Sequence, residues 1–208
     1  MYSLFGPDFI FRLIAIVVGL VIHEFAHAWT AMVLGDKTAK HQGRVTLNPV
    51  AHLEPIGLLM VLFGPFGWAR PVQVNSSNFK HPRTATLLVA LAGPVSNLIL
   101  AIICLLAYRP YFFSGTLSTD GFIPQLLSWA ATVNVALFVF NLIPIPPLDG
   151  SRIAYSLLPY RWEMQYRKLE LYGPFIMLLL IMIPQTRNAI FGTLLNTITY
   201  GLASLLGY

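Results

Sequence analysis

The sequence predicts an all-α polytopic membrane protein, and three observations support that class. Hydrophobic residues make up 56% of the 208 residues, whereas charged residues make up only 10%, well below the about 25% found in soluble domains. The mean hydropathy is +0.69. Three apolar runs are long enough to cross a bilayer as helices. The length suits one compact unit, so we predict a single membrane-embedded domain over residues 1–208.

The charge and the cysteine content argue against a nucleic-acid partner, a disulfide and a cysteine-based metal site. The net charge of +5 would suit a nucleic-acid partner, but the basic residues lie in loops between apolar runs, where membrane topology explains them. We therefore expect no nucleic-acid partner. The sole cysteine is Cys104, which excludes an internal disulfide and a cysteine-based zinc site.

The first predicted span, residues 9–34, contains a metal-binding pattern in its interior. His23, Glu24 and His27 form the sequence H-E-x-x-H. Two histidines four residues apart lie on the same face of a helix, so they can bind one zinc ion while the glutamate acts as a general base. Ionisable residues at membrane depth are costly and usually functional. We predict His23 and His27 as metal ligands and Glu24 as a catalytic base.

The chain between the first and second spans is predicted to stay on one side of the membrane. Its apolar piece, residues 56–66, has about 11 residues and is too short to cross. Short extended pieces are predicted on either side of it, at residues 44–49 and 70–75. We therefore predict a small re-entrant β element at about residues 44–75.

The second and third spans are predicted at residues 85–108 and 125–143. The sequence Gly-Pro-Val-Ser-Asn at residues 93–97 interrupts the second span, and small residues there let another helix approach closely. We interpret this sequence as a site of helix packing at which Asn97 can bridge to a neighbour. Prolines at positions 144, 146 and 147 end the third span, because proline cannot continue a helix.

Beyond the third span, residues 151–170 are predicted to lie at the membrane interface. Two apolar segments follow, at residues 171–183 and 190–206, around a proline-containing turn at residues 184–187. We predict that they form a C-terminal helical hairpin, so that the fold is a core of three transmembrane helices with this hairpin added.

The distribution of basic residues predicts the orientation. If residues 56–66 do not cross, ten of the thirteen basic residues lie on one side: Lys37, Lys40, Arg44, Arg70, Lys80, Arg83, Arg152, Arg161, Arg167 and Lys168. The positive-inside rule then places these loops in the cytoplasm. The metal site lies nearer that face, so we predict that it opens toward the cytoplasm.

A catalytic zinc needs a third protein ligand besides the two histidines. The candidates are Asp149, His52, Glu54 and His41. We favour Asp149 because the proline-containing break brings a carboxylate to the cytoplasmic end of the third span. The alternative is that Asp149 caps a helix, since Asp-Gly suits turns and helix starts.

In combination, these motifs resemble the site-2 protease family of intramembrane zinc metalloproteases, and in particular its short members that lack a PDZ domain. The resemblance rests on the H-E-x-x-H sequence, on Gly93-Pro94-x-x-Asn97, on Asn141-x-x-Pro144-x-x-x-x-Asp149-Gly150, and on residues 43–57. It implies one zinc ion per chain, held by His23, His27 and Asp149, and Glu24 as the catalytic base. It also implies that Asn141 helps to hold the substrate or the oxyanion.

The same resemblance implies hydrolysis of peptide bonds in or near transmembrane segments, which is regulated intramembrane proteolysis. The expected partners are a transmembrane protein substrate and the lipid bilayer. The expected location is a prokaryotic plasma membrane, in which the protein is multi-pass. The predicted β element offers an open edge that an unwound substrate can join as an added strand.

Two other functions remain open on the sequence alone. A non-proteolytic membrane protein could keep zinc for structure, although such a site has no need of a base such as Glu24. A metal or ion transporter could also place histidine and aspartate within the membrane. A transporter would usually contain internal repeats, and the sequence has none that we detect.

Overall fold

The computed structural model describes residues 6–54, 57, 69–114, 118–188 and 192–207, and these residues are mostly helical. Three long helices form the core: α1 (Phe9–Val33), α2 (Pro82–Phe113) and α3 (Phe122–Asn141). Each is long and apolar enough to cross a membrane, judged by length and composition. The predicted three long apolar helices are therefore present among the described residues, and the protein is a helical membrane protein.

The remaining helices of the described residues are shorter. The second span is longer than predicted, because Pro82 occupies its first turn, where proline is tolerated, and the helix continues to Phe113. The short elements are one-turn helices at Thr38–His41, Pro49–His52 and Pro184–Arg187, 3-10 turns at Ser76–Asn78 and Lys168–Glu170, and the helices α4 (Asp149–Leu157), α5 (Tyr160–Arg167), α6 (Gly173–Met182) and α7 (Thr193–Leu206).

The three long helices pack closely because small residues lie where they meet. A Cβ atom at Gly19 of α1 would lie 2.8 Å from Leu137 Cδ1 and 2.9 Å from Asn134 Oδ1 of α3. Ala28 and Ala31 of α1 are fully buried. Such residues let helix backbones approach closely in a membrane, where packing drives association. Large apolar side chains on these helices point outward instead, among them Val18, Leu88, Ile99, Ile103 and Leu106, and suit a lipid environment.

Asp36 joins the end of α1 to the segment that precedes α2. Its carboxylate accepts hydrogen bonds from the Asn75 backbone N–H (2.8 Å), the Asn78 side-chain amide (2.7 Å) and the Thr38 hydroxyl (2.6 Å). Burial raises the pKa of Asp36, but these hydrogen bonds outweigh it and hold that pKa below its ordinary value. Because residues 36 and 75 are in contact, the chain leaves α1 and enters α2 at the same end of the bundle, as predicted.

The predicted β element is not confirmed. Among the described residues of the 44–75 segment there is one isolated antiparallel bridge, between Leu53 and Ala69, and no strand. Residues 45 and 46 lie in a bend, and Asn48 accepts a hydrogen bond from the Val50 N–H and caps the one-turn helix that begins at Pro49. Asn followed by Pro is a strong start for a helical turn. Residues 55, 56 and 58–68 lie outside the described residues, so most of the predicted re-entrant piece does too.

The C-terminal helices pack on two different parts of the core. α6 covers the proline-containing loop, where its Met177 is buried with Ile143 and Leu148. α7 covers α2 and α3, with Leu195, Ile198 and Leu202 packed against Ala101, Val135 and Val139. Helices are therefore present in both predicted C-terminal segments. The connection between them passes through residues 189–191, which lie outside the described residues, so the hairpin stays a prediction.

Candidate metal centre

Three side chains from two helices meet inside the bundle. His23 and His27 lie one turn apart on α1, and Asp149 is the first residue of α4. The two Nε2 atoms are 3.0 Å apart, and Asp149 Oδ2 lies 3.0 Å from His23 Nε2 and 3.1 Å from His27 Nε2. The histidines are only 5% and 7% exposed. Among the described residues, these three form a group that could hold a metal ion.

The proline-containing loop after α3 delivers Asp149 to the histidines. The residue that caps α4 is Leu148, so Asp149 is not the helix cap that the sequence left open as an alternative. Gly150 makes the close approach possible, because a Cβ atom there would collide with the backbone carbonyls of Leu142 and Ile143. The Ser151 hydroxyl donates to the Leu148 carbonyl at 2.7 Å and holds the first turn of α4.

The other candidates for a third ligand have different neighbours. His52 is fully buried, and its Nε2 lies 2.7 Å from the Thr46 carbonyl. Glu54 accepts a hydrogen bond from the Gly57 N–H at 3.0 Å, and His41 is exposed. The structure therefore brings Asp149 to the histidines, and it does not bring His52, Glu54 or His41 into that group.

The partners of the two Nδ1 atoms determine which nitrogen of each ring is free. His27 Nδ1 lies 2.7 Å from the Val89 backbone carbonyl, and His23 Nδ1 lies 2.7 Å from Asn97 Oδ1. An oxygen of this kind only accepts hydrogen bonds, so both Nδ1 atoms carry the proton. In the neutral rings, both Nε2 lone pairs then point into the space they share with Asp149.

This donor set fits a zinc ion. Two imidazole nitrogens and a carboxylate oxygen lie about 3 Å apart, close to the about 3.3 Å that separates two ligands of a tetrahedral zinc. Three electron-pair donors so close together repel one another, and a cation bound between them removes that repulsion. Gly93 of α2 leaves room beside them, because a Cβ atom there would lie 2.6 Å from His23 Cε1 and even closer to His27 Nε2.

Glu24 lies beside this group and is held by the segment before α2. It is 9% exposed, and its Oε2 accepts a hydrogen bond from the Val72 backbone N–H at 3.0 Å. The buried Arg44 steadies that segment, since its guanidinium donates to the carbonyls of Ala51 and Arg70. The Val72 N–H is therefore already used, so it is not part of an open edge of the kind that the predicted β element would offer.

Asn141 lies at the last position of α3, before the proline-containing loop. Its side-chain amide donates to the Leu137 carbonyl in the same helix at 3.0 Å. The metal-binding group contains His23, His27 and Asp149 and not Asn141. The role that the resemblance implies for Asn141 therefore stays a prediction.

Sequence reasoning did not recognise three residues that touch or support this centre. Gly93 and Asn97 were interpreted as helix packing, but Gly93 lies against both imidazoles and Asn97 contacts His23. Asn134 was not singled out, although it donates and accepts hydrogen bonds at full burial. The available signal was the presence of two asparagines inside apolar spans, where an amide needs a partner.

The site consists of two buried histidines and a carboxylate, with a glutamate alongside, inside three apolar helices. This combination defines the class of a membrane metallohydrolase. The model of peptidase family M50 matches residues 111–184, which include Asp149. A protein of Bacillus subtilis (strain 168) named "Putative zinc metalloprotease YwhC" is 44% identical over 177 residues, which are 84% of this chain and 81% of that protein.

More distant relatives carry similar names. A protein of Mycolicibacterium smegmatis named "Putative zinc metalloprotease Rip2" is 32% identical over 64% of this chain and 52% of its own length. "Zinc metalloprotease MJ0392" of Methanocaldococcus jannaschii is 28% identical over 72% of this chain and 34% of its own length. No solved structure matches the chain. The chain belongs to peptidase family M50, the site-2 protease family, and it is a zinc metalloprotease.

Proposed function

We propose that this zinc metalloprotease cleaves peptide bonds in or near transmembrane segments of membrane-protein substrates. One observation supports the proposal above all. The Nε2 atoms of His23 and His27 and the Oδ2 atom of Asp149 lie 3.0–3.1 Å apart within a bundle of helices long enough to cross a membrane. Glu24 lies next to His23 in the same helix, so the ligands and a base occur together at membrane depth.

In this proposal, one zinc ion per chain is held by His23, His27 and Asp149. Bound zinc supplies Lewis acidity to the hydrolysis. Glu24 accepts the proton of the attacking water at one carboxylate oxygen and passes it to the leaving amide nitrogen. The Val72 N–H holds the other oxygen of Glu24 at 3.0 Å, which keeps the carboxylate from rotating. Burial of these groups strengthens each electrostatic contact because little water competes.

Asn141 is proposed to stabilise the oxyanion that develops on the scissile carbonyl. Its amide nitrogen carries two N–H groups, and one of them is used by the Leu137 carbonyl. The second is available for a substrate oxygen, and a preorganised donor of this kind contributes to catalysis. The substrate must be unwound locally, because the carbonyls of an intact helix are already hydrogen-bonded.

Replacing Glu24 with glutamine tests the proposed function. Glutamine has nearly the same shape but cannot take up a proton, so we expect cleavage of a single-span substrate to fall by about 10²–10⁴-fold. Zinc content should stay at the wild-type level, because the ligands are unchanged. Activity in reconstituted vesicles and metal analysis of the same preparation check both expectations.

The matched control for this experiment is Glu170→Gln. Glu170 is exposed at the end of a 3-10 turn, so the same chemical change there should leave both cleavage and zinc content unaltered. Undiminished cleavage by Glu24→Gln would exclude Glu24 as the base. A wild-type protein that binds zinc but cleaves no membrane substrate would instead favour a non-proteolytic role.

We also propose that the protein lies in a prokaryotic plasma membrane with the zinc site opening toward the cytoplasm. Arg83, at the start of α2, donates to the Leu158 carbonyl and lies 3.9 Å from Glu163. This contact supports the proposal that the basic segments before α2 and after α3 lie on the same side of the membrane. Loops rich in lysine and arginine face the cytoplasm.

Cysteine labelling tests this orientation. In a Cys104→Ala background, single cysteines at the exposed positions Lys40, Lys80 and Arg161 should all react with an impermeant maleimide added to the cytoplasmic side. A cysteine at the exposed Ser118, between α2 and α3, should react only from the opposite side. Labelling of Lys40 and Lys80 from different sides would contradict the proposed topology.

A further inference from the structure

We propose that Asn97 orients His23 for zinc and is therefore a positioning residue of the metal centre, while the Gly19 carbonyl and Asn134 hold the amide of Asn97. The inference rests on the proposed role of His23 as a ligand. It assigns to Asn97 a function in metal binding in addition to the helix packing that its position in α2 suggests.

The chain of hydrogen bonds runs across all three long helices. His23 Nδ1 of α1 lies 2.7 Å from Asn97 Oδ1 of α2. The Asn97 Nδ2 group donates one hydrogen to the Gly19 carbonyl of α1 (3.0 Å) and the other to Asn134 Oδ1 of α3 (2.8 Å). Asn134 Nδ2 donates in turn to the Ala130 carbonyl at 2.8 Å. Both asparagines are 0% exposed, so water does not compete with these bonds.

The partners of Asn97 allow only one orientation of its amide. The Gly19 carbonyl can only accept a hydrogen bond, so the nitrogen of Asn97 must face it. If the amide were turned over, its oxygen would face the Gly19 carbonyl and Asn134 Oδ1, and two hydrogen bonds would become contacts between oxygens. Because an unsatisfied buried amide is costly, the oxygen of Asn97 is held toward His23.

The orientation of Asn97 decides the protonation pattern of the His23 ring. An oxygen at 2.7 Å from Nδ1 requires that Nδ1 carries the hydrogen, so Nε2 keeps its lone pair for the metal. The same contact stops rotation of the ring about its Cβ–Cγ bond. Partners of this kind raise metal affinity, and their removal typically costs 10–100-fold.

His27 provides an internal comparison. Its Nδ1 donates to the Val89 backbone carbonyl at 2.7 Å, which no side-chain substitution removes. Only one of the two histidines therefore depends on a side chain for its orientation. Changes at Asn97 should alter the state of His23 and leave that of His27 unchanged.

The alternative is that the two asparagines serve helix packing alone, as polar side chains often do between membrane helices. Two variants separate the roles, because Asn97→Leu and Asn134→Leu both remove the amide contact of 2.8 Å. Only Asn97→Leu also removes the acceptor of His23. A third variant, Asn97→Asp, keeps an oxygen acceptor for His23 but loses the donors to Gly19 and Asn134.

The test measures the zinc affinity of the full-length protein in detergent by competition with a chelator, together with thermal unfolding of the metal-free form. We expect Asn97→Leu to weaken zinc binding by about 10–100-fold. Asn97→Asp should bind zinc more tightly than Asn97→Leu, because its carboxylate still accepts from His23. Asn134→Leu should bind zinc nearly as tightly as wild type, because the Gly19 carbonyl still holds the Asn97 amide. Equal weakening by Asn97→Leu and Asn134→Leu, or wild-type affinity in Asn97→Leu, would overturn the proposal.

Nitrogen NMR of histidine-labelled wild-type protein tests the same proposal without a substitution, in case Asn97→Leu does not fold. The metal-free protein should show His23 with its hydrogen on Nδ1, and a hydrogen on Nε2 with Nδ1 bare would overturn the proposal. If the proposed zinc ligands are wrong, the result is different, because Asp149→Ala would then bind zinc as tightly as wild type.

Discussion

Asp149→Ala is expected to lose most of its zinc during purification, whereas the wild-type protein keeps about one ion per chain. The physical reason is that the substitution removes the only anionic member of the proposed ligand set and leaves two neutral imidazoles. The carboxylate oxygen lies 3.0 Å from His23 Nε2 and 3.1 Å from His27 Nε2, so its loss leaves the proposed site with two ligands. Elemental analysis of protein dialysed against a weak chelator measures the effect.

Asp120→Ala is the control for this experiment, since Asp120 is exposed in the turn before α3 and should keep its zinc. Size-exclusion chromatography and circular dichroism of both variants distinguish loss of metal from loss of fold. Zinc retained in Asp149→Ala but absent from a folded His52→Ala would move the third ligand to His52.

Gly93→Ala is expected to abolish both zinc binding and cleavage, although it adds a single methyl group. The new Cβ atom would lie 2.6 Å from the Cε1 atoms of both His23 and His27, and it would collide with His27 Nε2. These atoms belong to rings held by hydrogen bonds to Val89 and Asn97, so they cannot move aside without losing those partners. Zinc analysis and the vesicle cleavage assay measure the two effects.

Gly201→Ala is the matched control, because a Cβ atom at Gly201 of α7 would meet nothing within 4 Å. Alanine favours a helix more than glycine does, so neither variant should lose its helix for local reasons. The account of the site would be wrong if Gly93→Ala bound zinc and cleaved substrate as the control does.

The parts of the structure that sequence could predict are those governed by local patterns. The spacing of His23 and His27 places both rings on one face of a helix, whatever the helix packs against. Hydropathy located the three spans, because the bilayer sets their length. Asp149 was expected near the histidines because the proline-containing break brings a carboxylate to the cytoplasmic end of the third span, and the structure places it 3.0–3.1 Å from them.

The parts that sequence missed depend on how helices cross. Nothing in the spacing of Gly93 and Asn97 shows that they face α1 at the level of His23 and His27, because that requires the relative depth and rotation of two helices. Asn134 gave only the general signal of an amide inside an apolar span, which does not show which helix it contacts. Residues 44–49 form no strand, and Asn48 instead caps the one-turn helix that begins at Pro49.

The central claim is that one zinc ion is held between α1 and α4. Anomalous diffraction at the zinc absorption edge, from crystals of the full-length protein, measures the position of the metal directly. We expect a single peak per chain, bounded by the Nε2 atoms of His23 and His27 and a carboxylate oxygen of Asp149, with Glu24 alongside. A zinc peak at His52 or His41, or a peak at the two histidines with Asp149 turned away, would contradict the account.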